Sequence, residues 1–114
     1  MPYIRTTVSK ELTEQNKENL KTKLGQAIAL IPGKSESWLM LSFEDNTNMY
    51  FKGDGSQDYA FLQVSIFGSA SDAAYDRLTA ALCEIVNEEL GIDLANIYVK
   101  YEEVDHWGWN GSNF

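Results

Sequence analysis

Pro2 and Lys34 are the residues with the most chemistry in them. Pro2 follows Met1 directly. A small second residue such as proline permits removal of the initiator methionine, and the chain then begins with a secondary amine. An α-amino group titrates near roughly 7.7–8.0, and burial or a neighbouring lysine lowers that value. An amine that is neutral near pH 7 is a usable general base. By position alone, Pro2 is more often a start-site residue with no further role. Lys34 stands in Pro32-Gly33-Lys34. A lysine entering a strand can hold a carboxylate as a point charge, although most surface lysines are simply solvated.

The C-terminus is the most unusual stretch: His106-Trp107-Gly108-Trp109-Asn110-Gly111-Ser112-Asn113-Phe114. Trp107, Trp109 and Phe114 are costly to leave in water, so they close an aromatic pocket, pack on a partner subunit or fill a core. Other residues carry less. His106 is the only histidine, and no motif ties a serine or cysteine to it, so a catalytic triad and a metal site are unsupported. Cys83 lies beside a helix stripe and reads as a small hydrophobe. Asp54 and Asp58 are too few for a calcium loop. Asn110-Gly111-Ser112 matches a glycosylation sequon, which matters only in a secretory protein. Glu11, Glu14 and Glu18 read as a solvated helix face.

These residues need a frame, and the periodicity supplies one. Pro2 to Val8 reads as a strand with Ile4, Thr6 and Val8 on one parity. Thr13 is a helix cap, and Leu20, Leu24, Ala27, Ile28 and Ile31 share one helical face. Pro32-Gly33 ends that helix. Trp38 to Phe43 reads as a strand, Asn46-Thr47-Asn48 as a turn and Met49-Tyr50-Phe51 as a short returning strand. The order then repeats. Tyr59 to Phe67 is a strand, with Leu62, Val64 and Ile66 on one face. Ser69 or Ser71 caps a second helix with the stripe Tyr75, Leu78, Leu82, Ile85 and Val86. Gly91 suits a left-handed C-terminal cap. Ile97 to Val104 is the last strand. Equivalent strands begin about 57 residues apart, which suggests a duplicated β-α-β unit. The expected fold class is α+β, one domain over 1–114, with a four-stranded sheet and two helices on one face. Tyr3, Arg5, Trp38, Met40, Phe61 and Phe67 fall to the other face, which is expected to be covered by further subunits.

Composition narrows the function. The 114 residues carry a net charge of −8, which repels phosphate backbones and argues against a general nucleic-acid binder. No apolar run approaches the roughly 18 residues of a membrane span. The single cysteine can form no internal disulfide. Met1 to Thr7 lack the apolar stretch of a secretory signal. The cytoplasm is therefore the expected compartment, and export without a signal peptide would leave no mark.

Taken together, the chain resembles the macrophage migration inhibitory factor family of the tautomerase superfamily over nearly its full length. The residues behind this are Met1-Pro2, Gly33-Lys34, the duplicated β-α-β order, Ser65-Ile66-Phe67-Gly68, Ile97-Tyr98-Val99-Lys100 and Gly108-Trp109-Asn110-Gly111-Ser112-Asn113-Phe114. The resemblance implies a homotrimer and keto–enol tautomerase activity on phenylpyruvate-like α-keto acids, with Pro2 as acid/base and no cofactor. It implies that Lys34 holds the substrate carboxylate and that Ser65, Ile66 and Phe67 border the substrate, Phe67 through its backbone. It further implies that Tyr98 comes from the adjacent subunit, that Lys100, at a position that is asparagine in the animal cytokines, helps bind the substrate, and that Trp107, Trp109 and Phe114 form the apolar wall. Two departures stand out. Tyr59-Ala60-Phe61-Leu62 occupies the place of the animal cytokine's Cys-x-x-Cys, so thiol oxidoreductase activity is not expected. The segment from Tyr98 to Trp107 is about two residues shorter than in the family. The alternative in another class is a non-catalytic, cytokine-like interaction protein that binds a receptor if exported.

Overall fold

A computed structural model describes residues 1–114. Strand β1 spans Pro2–Val8, helix α1 Glu14–Ala27, β2 Met40–Glu44, β3 Ala60–Phe67, helix α2 Asp72–Leu90 and β4 Ile97–Val104. Two further strands, β5 (Gly108–Trp109) and β6 (Ser112–Asn113), pair only with each other. The main sheet runs β2-β1-β3-β4. β1 is parallel to β2 and antiparallel to β3, and β3 is parallel to β4. This is the expected α+β frame, with one parallel β-α-β unit in each half.

Local chemistry explains the helix boundaries. Thr13 Oγ1 accepts from the Asn16 N–H at 3.0 Å, and Asn16 Oδ1 accepts from the Thr13 N–H at 3.0 Å, a reciprocal cap on α1. Ser71, rather than Ser69, caps α2 through the Ala74 N–H. At the other end of α2, Gly91 has φ 69°, a left-handed conformation that a side chain resists. Lys10 Nζ donates to the Leu90 carbonyl at 2.8 Å, satisfying one of the helix's last carbonyls.

The core lies between the two helices and one sheet face. Ile4, Thr6 and Val8 of β1 alternate inward with Leu62, Val64 and Ile66 of β3. Leu20, Leu24, Ile28, Leu78, Leu82 and Val86 cover them from the helices. The stripe of α2 turns slightly from its sequence assignment: Ala74 and Leu90 are buried, while Tyr75 and Ile85 pack at the margin. Neither helix is long and apolar enough to cross a membrane.

Two strand assignments change. Trp38 belongs to a 3-10 turn (Glu36–Trp38), and β2 starts at Met40. An apolar run shows where a chain is buried but not where its backbone stops turning. Met49-Tyr50-Phe51 forms no strand, since only an isolated bridge joins Phe51 to Asp54. The second sheet face also differs from expectation. Tyr3, Arg5, Met40, Phe61 and Phe67 lie on it, but a polar row of Ser42, Arg5, Gln63 and Lys100 crosses its middle in register. Arg5 is ion-paired with Glu44, and the Tyr3 hydroxyl lies 2.6 Å from Ser42 Oγ. The apolar residues sit toward the two ends of that face.

Candidate active site

Pro2 opens β1 opposite Ile66 and is buried. A proline is tolerated there because the first residue of a strand can forgo its N–H. The chain brings Lys34 to the same place by a tight turn. Pro32 and Gly33 occupy its central positions, Gly33 has φ 82°, and the Lys34 N–H closes it onto the Ile31 carbonyl at 3.0 Å. That is the pattern of a type II turn, with proline at its second residue and glycine at its third.

Phe67 ties these pieces together. Its carbonyl accepts from Lys34 Nζ at 2.8 Å. Its N–H donates to the Met1 carbonyl at 3.1 Å. One peptide-bonded residue at the end of β3 therefore fixes the lysine on one side and the start of the chain on the other. The N-terminal amine is held below its ordinary value, first by partial burial and then by the Lys34 charge and hydrogen bond. Both causes disfavour a cation at this point.

Aromatic residues form the wall. Trp107, Trp109 and Phe114 come from the C-terminal hairpin, whose two-residue turn places Asn110 at φ 52° and Gly111 at φ 88°. The Phe114 N–H donates to the Trp107 carbonyl at 3.0 Å and closes the hairpin's base. Trp109 stacks on Phe114 (centroids 6.4 Å apart, planes 10° apart), and Phe114 lies 5.8 Å from Phe67. Trp38 meets Trp109 edge-on at 5.0 Å. An open cleft of about 1010 Å³ runs beside them, lined by Met1, Pro2, Trp38, Met40, Trp107 and Trp109 among others. Sequence reasoning placed Trp38 in a strand and missed it as a wall residue. The available signal was an aromatic side chain four positions after the candidate lysine.

One protomer gathers Pro2, Lys34, Phe67, Trp107, Trp109 and Phe114 at one end of the sheet. Ser65 and Ile66 flank it on β3, whereas Tyr98 and Lys100 lie away from it. Ser65 lies on the open sheet face opposite Tyr3. Ile66 is 1% exposed, so it offers backbone rather than side chain. Tyr98 packs edge-on against Phe51 at 5.0 Å and Phe61 at 6.2 Å, near the opposite end of the sheet. Pro2 is level with Ile66, and Ile66 with Glu103. Tyr98 is thus five residues away along β4, roughly 17 Å at strand spacing, and Lys100 about 10 Å. The Lys100 ammonium lies 3.9 Å from Glu102 in an exposed pair. The chain has no cluster of three His, Cys, Asp or Glu side chains that could hold a metal ion.

Comparisons with known proteins bear on the family and the fold. The family model described as Macrophage migration inhibitory factor matches residues 1–114. The chain is 26% identical over 113 residues to Macrophage migration inhibitory factor of Xenopus laevis, covering 97% of this chain and 95% of that protein. It is similar to the crystal structure of Leishmania major MIF2, with a TM-score of 0.93 and 32% identity across 100% of this chain and 97% of the other. A fused 4-OT symmetric trimer shares the fold at a TM-score of 0.86 and 17% identity, across 97% of this chain and 94% of the other. The fold is that of the macrophage migration inhibitory factor structures. The chain belongs to the macrophage migration inhibitory factor family, whose members have tautomerase activity.

Proposed function

We propose that the protein is a keto–enol tautomerase of phenylpyruvate-like α-keto acids, with Pro2 as general acid/base once Met1 has been removed. The observation that carries this reading is the junction at Phe67, which joins Lys34 to the start of the chain. Loss of Met1 changes three things there. The Pro2 nitrogen passes from a tertiary amide, whose lone pair is delocalised into a carbonyl, to a secondary amine. The Phe67 N–H loses its partner, the Met1 carbonyl, and becomes a free donor. The space between Lys34 and Pro2 opens to the cleft.

A substrate then fits by charge and shape. Its carboxylate meets the Lys34 ammonium and the freed Phe67 N–H. Its aryl group lies along Phe67, Trp107, Trp109 and Phe114. Neutral Pro2 takes a proton from the carbon beside the ketone; the C–H pair becomes the new carbon–carbon double bond, and the carbonyl π pair moves onto the ketone oxygen. Protonated Pro2 then gives that proton to the oxygen, which yields the enol and restores the neutral amine. The Lys34 charge helps twice, because it attracts the carboxylate and keeps the amine unprotonated.

The same reading makes the protein a homotrimer. Tyr98 and Lys100 then reach the site from a neighbouring subunit, which the roughly 17 Å offset of Tyr98 from the level of Pro2 along the sheet supports. Ser65 and the Ile66 backbone border the site from β3.

The test is phenylpyruvate turnover by protein shown to begin at Pro2, with Pro2→Gly alongside and sedimentation on both. A trimer is expected, with kcat/KM falling about 10²–10⁴-fold in the variant, the usual range for a lost general base. Turnover no faster than buffer by the Pro2-starting trimer contradicts the enzymatic reading and moves the function to cytokine-like binding.

A further inference from the structure

The two-residue turn between β5 and β6 is built from Asn110 and Gly111, both exposed and both at positive φ. The Asn110 side chain makes no hydrogen bond within the chain. Gly111 has no side chain to shield its backbone nitrogen, and nothing lies within 4 Å of where a Cβ would be. The hairpin is a separate two-stranded sheet, paired only as Gly108↔Asn113 and Trp109↔Ser112. So small a hairpin is marginal in water and opens locally far more often than the core.

We infer that Asn110 is a deamidation site whose conversion dismantles the aromatic wall of the cleft. In the opened hairpin the Gly111 backbone nitrogen attacks the Asn110 side-chain carbonyl carbon. The new C–N bond closes a five-membered succinimide, the nitrogen gives up its proton, and the side-chain nitrogen leaves as ammonia. Water then opens the ring at one of its two carbonyls. Opening at the backbone carbonyl gives isoaspartate, and opening at the side-chain carbonyl gives aspartate. No oxidant or other co-reactant is needed.

The two products act differently on the wall. Aspartate keeps the backbone and adds one negative charge to a chain already at −8. Isoaspartate routes the backbone through Cβ, which adds a methylene to a turn only two residues long. A lengthened turn cannot keep Trp109 opposite Ser112 and Phe114 bonded to Trp107. Those pairings hold Trp109 stacked on Phe114. The consequence for catalysis rests on the proposed tautomerase reading, whereas the modification itself does not.

The experiment ages the full-length, Pro2-starting protein at mildly alkaline pH, where amide attack is faster, with Asn110→Gln and Asn110→Asp in parallel. Peptide mass mapping, an isoaspartate-specific methylation assay, tryptophan fluorescence and turnover are followed together. The peptide holding Asn110 is expected to gain about 1 Da. Turnover and the fluorescence of stacked Trp109 are expected to decline in proportion to isoaspartate. Asn110→Gln, which must close a six-membered ring, should keep its starting signals, and Asn110→Asp should start near wild type. No mass gain at Asn110 over weeks overturns the site. Full conversion with unchanged fluorescence overturns its effect on the wall. If turnover is absent from the start, the mass and fluorescence arms still decide the inference, and only the tautomerase reading fails.

Discussion

The two β-α-β halves share a frame and differ in how each chain leaves its helix. After α2, the connection is short and closed on itself. Gly91 turns left-handed, Ile92 drops into the core at 1% exposure, and Asn87 Nδ2 donates to the Ile92 carbonyl at 3.0 Å. A 3-10 turn over Leu94–Asn96 then leads into β4. After α1, residues 28–39 make a longer path with two 3-10 turns and the Pro32-Gly33 turn between them. That path delivers Lys34 to the Phe67 carbonyl and Trp38 into edge-to-face contact with Trp109. The duplicated frame supplies rigidity in both halves, and one connection has been extended to carry the site. The starts of the matching strands differ in the same way: β1 begins at Pro2 and β3 at Ala60.

If this contrast is correct, substitutions in the two connections have different readouts. Lys34→Ala should lower kcat/KM for phenylpyruvate about 10- to 150-fold, the equivalent of roughly 1.5–3 kcal/mol for a hydrogen bond to a charged group. A neutral keto analogue of the same shape should lose much less. The pH profile supplies a separate sign. Lys34 helps hold the Met1 amine down; its charge should act in the same sense on the Pro2 amine, so its removal should raise that pKa and move the acid limb of kcat/KM to higher pH. Equal losses on both substrates with an unmoved acid limb would take Lys34 out of the site.

Trp109→Ala should act more weakly. It removes one edge-on and one stacked aromatic contact, so KM should rise about 2- to 10-fold with kcat changing less. A fall confined to kcat would mean that Trp109 acts on the chemistry and not on ring placement. In the other connection, Asn87→Ala should cost about 0.5–1.5 kcal/mol of stability in urea titration and leave turnover unchanged. Lost turnover in that variant, with stability intact, would show that the second connection also serves the site.

Much of the frame was legible because each half carries its own signals. Thr13 and Gly91 mark helix ends by their side-chain chemistry, and Leu62, Val64 and Ile66 show the sheet's period directly. Trp38 was misplaced because Trp38 to Phe43 reads as one continuous apolar run, and a 3-10 turn at its start leaves no mark on composition. Pro2, Lys34 and the C-terminal aromatics were visible as residue types. Their meeting at Phe67 was not, since it depends on β3 lying beside β1 and ending level with its start. Tyr98 and Lys100 show the opposite limit. A sequence pattern names them with the site, and the geometry of one protomer places them at a distance from it.

The central claim is that the amine of Pro2 is the working base, and the direct measurement compares two forms of the same chain. One retains Met1 and the other begins at Pro2, each confirmed by intact mass, with phenylpyruvate turnover recorded across pH. Both should fold and sediment alike, because Met1 contributes strand-end polar contacts to Phe67 and Lys34 and no core contact. The Met1 form should show no turnover above buffer at any pH, since an amide nitrogen takes up no proton near neutrality. The Pro2 form should be active where its amine is neutral and should lose activity as pH falls through the amine's pKa. Burial and Lys34 hold the Met1 amine below its ordinary value, and the same two causes should act on a Pro2 amine beside Lys34. Equal turnover by the two forms would contradict the account, because a free amine would then be unnecessary.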